Sequence, residues 1–372
     1  MKKVLWFGSF SDPSGYGEAA RNYAYNLKGV DLYLKNCKFF NGGAVGMGRD
    51  MYEKLSPLIG KESNFYNMVM YNLTPENYRV SRTEKMLTCC MTTFETDGIP
   101  DSWVIPIRAM DYVFTYTNFN KLTFENSGIN RPIIVVPHGV DTNRFSPTAI
   151  PLIKKPVNKF VFGSNFDWTE RKNPQALIQG YFMAFPNKKD VTLLLKVYAH
   201  YDSSSKFLDN IKAYIAELRK KCGIGEYPEV QILSQMLDAD EMAGFYTSLD
   251  CYVSTTRGEG WNLPMSEAMA CGVPCVATNW SAHTEFMNTS NGYPIEYKIV
   301  PVGEAQYSKF PHYKGQNWAD IDKHHLVYTL REIFNNRGRN NRKGLQARKD
   351  MVDNWTWKMA CEKLTKAINI IN

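Results

Sequence analysis

TTRGEGWNLPMSEAMACGVPCVAT, residues 255–278, holds two glutamates, Glu259 and Glu267, eight positions apart. A compact run of β-branched and aromatic residues precedes it, and two glycines interrupt that run, which indicates the end of a strand. Pro264 is typical of a first helical position, and Gly272 and Pro274 end the helix after barely two turns. A second compact apolar run comes next. The order strand, loop, helix, strand predicts a βαβ unit.

This unit predicts a ligand site. Ligands of parallel sheets bind beyond the carboxyl ends of the strands, where Glu259 lies in this interpretation. The N-terminus of the following helix offers unpaired backbone N–H groups, which favour an anion. Glu267 leaves the helix behind that anion, so its carboxylate can accept hydrogen bonds from two ribose hydroxyls while Glu259 reaches the group beyond the phosphates.

Length and composition indicate a globular protein of two domains. At 372 residues the chain exceeds one ordinary hydrophobic core. Hydrophobic residues make up 44% of it and charged residues 22%, which argues against disorder. The first apolar run is too short for a signal peptide, and no window reaches the roughly twenty apolar residues of a transmembrane helix. We expect a cytoplasmic protein, with peripheral membrane contact left open.

The residue types that bind metals show no ligand spacing. Eight cysteines are scattered through mostly apolar runs without a CxxC pair, and the six histidines form no HExxH motif. Cysteines in such runs are typical of reduced core residues. We therefore expect no metal and no resident cofactor.

Apolar runs alternate with helical patterns in both halves of the chain. KVLWFG, YNMVMYNL, DYVFTY and PIIVVP lie in the first half, and KFVFGSN, VTLLLKVY, EVQILS and VPCVAT in the second. This alternation predicts two successive α/β domains, each with a parallel sheet. Residues 146–159 are rich in proline and lysine and lack periodicity, so they form the predicted linker.

Glycines and basic residues follow the first strand of each predicted sheet. Gly15 and Gly17 would let a ligand or a facing domain approach the backbone, or they form a tight turn. Arg171 and Lys172 precede a helix that Asn173 can cap, and positive side chains beside a helix N-terminus favour a phosphate. The alternative for this pair is a surface position beside a capped helix.

Residues 335–349 hold six positive charges in fifteen positions. Such a stretch is typical of a solvated helix face, and it also fits contact with an anionic lipid surface or another polyanion. Both interpretations stay open.

Together these segments resemble the retaining glycosyltransferases of family 4, glycosyl transferases group 1. The resemblance covers most of the chain. PIIVVPHGVDTNRFSP (132–147), ERKNPQALIQGYFMAF (170–185) and NWTWKMACEKLTKAI (354–368) are similar to family segments. The paired-glutamate stretch 258–278 is the most specific of the motifs, because its spacing, glycines, helix and following strand all agree.

The resemblance implies an α/β fold of GT-B architecture, with two Rossmann-like domains facing each other across a cleft. The acceptor would bind to an N-terminal domain of residues 1–149. The C-terminal helix, 355–372, would cross back to that domain. The nucleotide-sugar donor would bind to residues 150–354.

The resemblance also implies residue roles. Lys172 and Arg171 would neutralise the donor diphosphate, Glu259 would hold hydroxyls of the transferred sugar, and Glu267 the ribose. The remaining donor contacts are expected from Gly260, Trp261, Asn262, Leu263, Gly15 and Gly17. The co-substrate would be a UDP- or GDP-sugar, and a hexose-type sugar would move to an acceptor hydroxyl with α configuration and without a metal.

Two positions depart from the family pattern. Many relatives carry an arginine near the position of Asn165, so charge compensation at the phosphate is expected to depend on Arg171 and Lys172. Where relatives often have a histidine near the sugar, this chain offers Glu95, for which we weigh an acceptor-facing role against a structural one.

Two other functions stay open at this point. A sugar-nucleotide epimerase can share the architecture, and a non-catalytic nucleotide-sugar-binding scaffold would bind the donor without transfer. The acceptor is equally open, since a glycan, a lipid-linked saccharide, a protein or a modified nucleic acid would all fit.

Overall fold

The computed structural model describes residues 1–38, 48–79, 86–155, 158–199, 206–223 and 225–371. The chain divides into two compact units. The first unit consists of Met1–Gly139, Val302–Gln316 and Trp355–Asn372, and the second of Val140–Pro301 and Asn317–Asn354.

The described strands are, in chain order, β1 Lys2–Gly8, β2 Val30–Asn36, β3 Met68–Asn72, β4 Leu87–Met91, β5 Tyr112–Thr115, β6 Ile133–Val135, β7 Phe160–Asp167, β8 Val191–Tyr198, β9 Glu229–Leu233, β10 Cys251–Ser254, β11 Cys275–Thr278, β12 Tyr293–Ile295, β13 Tyr297–Pro301 and β14 Asn317–Ile321. The α-helices are α1 Gly15–Asn26, α2 Arg49–Leu55, α3 Asp101–Arg108, α4 Asn118–Asn126, α5 Pro174–Ala184, α6 Phe207–Cys222, α7 Ala239–Thr247, α8 Leu263–Ala270, α9 His283–Phe286, α10 Glu304–Tyr307, α11 Lys323–Asn335, α12 Arg337–Asn354 and α13 Trp357–Ile370.

The first unit is built on a parallel sheet of six strands in the order β2-β1-β3-β4-β5-β6. Its central strands β3 and β4 are mostly apolar and, except for the half-buried Leu87, buried, as expected for a parallel sheet covered on both faces. Helix α13 packs against α1. The rings of Trp357 and Tyr23 meet edge to face there, with their centroids 5.2 Å apart. Thr356 caps α13 by accepting a hydrogen bond from the N–H of Met359.

The second unit has its own parallel six-stranded sheet, in the order β12-β11-β10-β7-β8-β9. Alternate side chains of β7 and β8, such as Phe162 and Leu193, point into a core formed with α5, α6 and α11. The side chains between them point to the opposite face, where Asn165 of β7 lies beside Lys196 of β8 in the strand register. Tyr246 of α7 covers this second face.

The boundary between the units differs from the predicted one at residues 149 and 150. Val140 already belongs to the second unit. The reason is side-chain packing: Nε of Arg144 donates to Oδ1 of Asp240 at 3.0 Å, and the Phe145 ring contacts Tyr246. Amino-acid composition, on which the predicted linker was based, does not report these contacts.

A second difference is that Val302–Gln316, which the sequence analysis placed in the donor domain, belongs to the first unit. The Tyr313 hydroxyl donates to Oε2 of Glu95 at 3.2 Å, and its ring packs on Phe94. Nε2 of Gln316 donates to the carbonyl of Ile99. The segment is thus tied to the loop after β4 by contacts of long sequence separation.

The basic stretch 335–349 is only partly a solvated face. Nζ of Lys343 donates to the carbonyl of Gly292 at 2.7 Å, and Nη1 of Arg348 donates to the carbonyls of Phe145 and Ala270, both at 2.9 Å. Lys349 pairs with Asp353 one turn along α12. The side chains of Arg337 and Arg339 lie outside the described part of the structure. The described contacts use several of these charges inside the second unit and do not test the anionic-surface hypothesis.

Candidate active site

The paired-glutamate stretch folds as the sequence predicts. Strands β10 and β11 are parallel neighbours, with Val253 beside Val276, and α8 connects them. The helix begins one residue before Pro264, because Asn262 forms the N-cap: at φ +78° its Oδ1 accepts a hydrogen bond from the N–H of Met265 at 3.2 Å. Asparagine is one of the few residues that tolerate this left-handed conformation.

Glu259 lies between two cations that come from far away in the sequence. Nζ of Lys172 is 2.5 Å from Oε1 of Glu259, and Nη1 of Arg171 is 3.2 Å from Oε2. The carboxylate side chain is 7% exposed and each cation 17% exposed. We call Glu259, Arg171 and Lys172 the charge cluster. The cluster is shielded from bulk water, and ion pairs are stronger in such surroundings than in water.

Burial and charge act in opposite directions on Glu259. Burial raises the pKa of its carboxyl, but the positive charges of Lys172 and Arg171 outweigh burial, so the pKa falls to about 2. Glu259 is consequently an anion at neutral pH. It can accept hydrogen bonds, but it cannot serve as a proton donor there.

The two cations are held in place by the backbone that leaves β10. The carbonyl of Arg171 accepts hydrogen bonds from the N–H of Arg257 at 2.7 Å and from Oγ1 of Thr256 at 3.2 Å. In return, Nη1 of Arg171 donates to the carbonyl of Gly258 at 2.7 Å. Oγ1 of Thr255 donates to the carbonyl of Asn173, which caps α5 through its side chain. The loops after β7 and β10 are thus joined by hydrogen bonds.

Three backbone donors follow Glu259 of the charge cluster in the chain. Within the described residues, the N–H groups of Gly260, Asn262 and Leu263 donate to no protein acceptor. Gly260 and Asn262 are buried, and Leu263 is half-buried at the start of α8. Because buried N–H groups are nearly always paired, these three donors point to an anionic or hydroxylated ligand.

Glu267 projects from the same helix and is held by a tyrosine. The hydroxyl of Tyr246 donates to Oε2 of Glu267 at 2.7 Å and lies 3.3 Å from Oδ1 of Asn165. Asn165 is therefore part of a polar chain that orients Glu267. Its backbone carbonyl also accepts a long hydrogen bond from the hydroxyl of Tyr252.

Two residues after β11 support the site and were missed by the sequence analysis. Oγ of Ser281 accepts a hydrogen bond from the N–H of Glu259 at 3.0 Å. Nδ1 of His283 donates to the carbonyl of Thr278 at 2.9 Å, so its Nε2 accepts from Nδ2 of Asn262 at 2.7 Å. Burial lowers the pKa of His283, which keeps it neutral. In the sequence, their position just beyond the predicted end of β11 could have indicated them, because ligand sites of parallel sheets lie at strand ends.

Three candidates lie in the first unit. Gly17 lies in the first turn of α1, where a Cβ would overlap the carbonyl oxygen of Asp12 in the preceding loop, whereas a Cβ on Gly15 would meet nothing within 4 Å. This close approach is a structural reason for Gly17, and the donor contacts expected from Gly15 and Gly17 stay predictions. Glu95 accepts a hydrogen bond from Tyr313, and its proposed acceptor role stays a prediction.

The described residues show neither a metal-binding cluster nor a membrane-spanning helix. They contain no group of three or more His, Cys, Asp or Glu side chains that could hold a metal ion. None of their helices is both long enough and apolar enough to cross a bilayer.

Comparison with known families finds similarity mainly over the second unit. Residues 158–305 match the model for glycosyl transferases group 1. The chain is 28% identical over 152 residues to a D-inositol 3-phosphate glycosyltransferase of Arthrobacter sp., covering 39% of this chain and 34% of that protein. It is 24% identical over 246 residues to a GDP-mannose-dependent monoacylated α-(1-6)-phosphatidylinositol monomannoside mannosyltransferase of Corynebacterium glutamicum, covering 63% and 55%.

The matches thus span only about a third to a half of the curated relatives' lengths. Over that span the chain is similar to group 1 glycosyltransferases, the family that its motifs resemble.

Solved structures show the fold of the whole chain. HepE of Anabaena, solved with UDP and glucose, matches with a TM-score of 0.69 at 12% identity over 100% of both chains. The sucrose-phosphate synthase of Thermosynechococcus elongatus matches with a TM-score of 0.70 at 13% identity, over 99% of this chain and 98% of that one. With the two parallel sheets, these likenesses confirm the predicted α/β fold of GT-B class.

Proposed function

We propose that this protein is a retaining glycosyltransferase that moves a hexose-type sugar from a nucleotide-diphosphate-sugar donor to an acceptor hydroxyl. The observation that carries the proposal is the charge cluster beside the unpaired N–H groups of Gly260, Asn262 and Leu263. Cations and backbone donors together match a diphosphate, and the adjacent carboxylate matches the hydroxyls of a sugar.

The cations would act on the leaving group. As the bond to the sugar breaks, negative charge grows on the diphosphate, and fixed positive charges stabilise it where it develops. The ammonium of Lys172 has three N–H donors, so it can hold Glu259 and a phosphate oxygen together. This arrangement supplies the charge compensation that a metal ion provides in other transferases, and we propose that transfer needs no metal.

The two glutamates would divide the donor between them. Glu259, an anion because of its low pKa, accepts hydrogen bonds from hydroxyls of the transferred sugar. Glu267, oriented by Tyr246, accepts from the ribose hydroxyls. Glu259 therefore positions the sugar without exchanging a proton. The acceptor hydroxyl would attack from the face that the phosphate leaves, and the leaving phosphate would assist its deprotonation. Attack on that same face retains the α configuration.

Relatives suggest the substrates to test first. The names of two curated relatives specify D-inositol 3-phosphate and a phosphatidylinositol mannoside with GDP-mannose as donor. The solved neighbour HepE binds UDP and UDP-glucose. We therefore propose a UDP- or GDP-sugar as donor, and sugars or lipid-linked saccharides as the first acceptors to examine.

The test begins with donor binding. The thermal midpoint is measured with UDP-, GDP- and ADP-sugars for the wild type and for Glu267→Gln. A ligand at a hundred times its Kd adds about 2.7 kcal/mol of stability, so the matching donor should raise the wild-type midpoint by several degrees and the variant's by much less. Absence of any shift in the wild type would contradict the proposal.

The reaction is then followed with the stabilising donor by NMR, in EDTA, with and without acceptors. An α-linked product supports the full proposal, and a β-linked product overturns retention. Conversion of the donor sugar to its epimer without acceptor would establish an epimerase. Binding with neither hydrolysis nor transfer across the acceptor panel would favour the scaffold.

A further inference from the structure

Lys196 is a buried lysine of the second unit that the site described above does not use. It lies in β8 and is 5% exposed. In the strand register it pairs with Asn165 of β7 and with Leu233 of β9. Because neighbouring residues of parallel strands share a face, Lys196 points to the same face as Asn165, away from the apolar core around Leu193.

The ammonium of Lys196 has no anionic partner in the described part of the chain. Within the described residues it forms no hydrogen bond or ion pair, and its Nζ lies over the Tyr198 ring, 4.8 Å from the ring centroid. Burial lowers the pKa of Lys196, and no charged group offsets that effect. A buried charge without a partner is costly, so a lysine in this place points to an anion that the protein itself does not supply.

Its surroundings belong to the donor site. Asn165, beside Lys196, lies in the polar chain that continues through Tyr246 to Glu267. Nζ lies over the ring of Tyr198, whose hydroxyl senses the charges of Glu259 and Arg171. Burial raises the pKa of that hydroxyl most, the negative charges of Asp167 and Glu259 raise it further, and Arg171 lowers it. Lys196 is therefore close to the charge cluster, although it pairs with none of its members.

The charge balance of the cluster favours a further cation. Glu259 cancels one of the two positive charges of Arg171 and Lys172. One net positive charge then faces a donor diphosphate that carries a negative charge on each phosphate. With Lys196 included, the positive charge equals the negative charge of that diphosphate.

We propose that Lys196 is a third cation of the donor site, which binds a phosphate oxygen of the nucleotide-sugar diphosphate. The inference rests on the proposed function for the identity of the donor, but the anion site itself can be tested separately. Lys196 would bind the diphosphate in the ground state and while it leaves.

The test uses inorganic pyrophosphate, UDP and GDP as probes in calorimetric titrations of the full chain. Lys196→Met should weaken binding of pyrophosphate, and of the nucleotide that the wild type binds, about tenfold or more, as expected for a lost hydrogen bond to a charged group. Lys196→Arg should keep most of the affinity. The matched control is Lys212→Met, which removes an exposed lysine paired with Asp209 and should leave binding unchanged.

A second measurement needs no ligand. Because Lys196→Met removes a buried unpaired charge, its thermal midpoint without ligand should rise by about 2 to 4 °C. A lowered midpoint would overturn the argument from burial. Pyrophosphate and nucleotide binding within twofold of the wild type would overturn the anion site.

These outcomes separate the two proposals. If pyrophosphate binding depends on Lys196 but no sugar is transferred from any donor, the anion site stands and the proposed function fails. If Lys196→Met binds donor and transfers sugar as the wild type does, the proposed function stands and the role of Lys196 is wrong.

Discussion

Replacing Glu259 by glutamine removes the negative charge that joins Arg171 and Lys172 in the second unit. The side chain keeps its shape, but two cations that are mostly shielded from water lose their common partner. The pKa of Glu259 falls from 4.5 to about 2, which corresponds to about 3 kcal/mol of stability. Breaking a buried ion pair by removing one partner costs about 3 to 5 kcal/mol in other proteins, which agrees with this figure.

The assay is differential scanning calorimetry at pH 7. For a unit of this size, a loss of 3 kcal/mol lowers the thermal midpoint by about 6 to 12 °C. Glu217→Gln is the matched control, since it breaks a Glu–Lys pair that is exposed on α6, and it should leave the midpoint unchanged. A fall of less than about 2 °C for Glu259→Gln would refute the view that the charge cluster stabilises the fold.

The same variant predicts a pH dependence. The folded pKa of Glu259 lies below the unfolded value, so its contribution is fully present above about pH 4.5 and is lost as the pH falls towards about 2. The stability difference between the wild type and Glu259→Gln should therefore be constant from neutral pH down to about pH 5 and shrink in more acidic buffer. A difference that grows on acidification would have the wrong sign for this mechanism.

Three further substitutions test separate parts of the molecule. Gly17→Ala should destabilise the first unit by about 1 to 3 kcal/mol in chemical denaturation, because its Cβ would overlap a backbone carbonyl. Gly15→Ala has open space around its Cβ and should be neutral or slightly stabilising. Equal effects of the two substitutions would contradict this geometry. Glu267→Gln should weaken nucleoside diphosphate binding about tenfold or more in a titration, and an unchanged Kd would remove this residue from the site. Lys172→Met should lower kcat more than it weakens donor binding, since charge grows on the leaving phosphate; a loss confined to KM would instead assign it to ground-state binding.

Local chemistry was sufficient to predict the segment around α8. The glycines that end β10, the proline and asparagine at the helix start, and the apolar run of β11 each act within a few residues, so their spacing alone predicts strand, loop, helix and strand. The same holds for Asn173 and Pro174 at the start of α5. The helix start was misplaced by one residue, because either Leu263 or Pro264 is compatible with the first turn.

Contacts between distant parts of the chain were beyond such reasoning. Val302–Gln316 lies in the middle of the second unit's sequence, yet it belongs to the first unit through Tyr313 and Gln316. Positive charges at 335–349 suggested a solvated face, but carbonyls of the second unit bind Lys343 and Arg348. Composition describes which groups are present, and only packing shows which of them meet.

Residue types and their spacing along the chain were enough for the α/β class, the paired-glutamate motif and the basic residues beside a helix, because strands, turns and caps depend on near neighbours. Only the tertiary structure brought Lys172 to Glu259, 87 positions away, and placed Lys196 beside Asn165 without a partner. The physical reason is that burial and charge pairing, which set the pKa of a carboxylate and the cost of an ammonium, depend on groups that meet in space and are far apart in the chain.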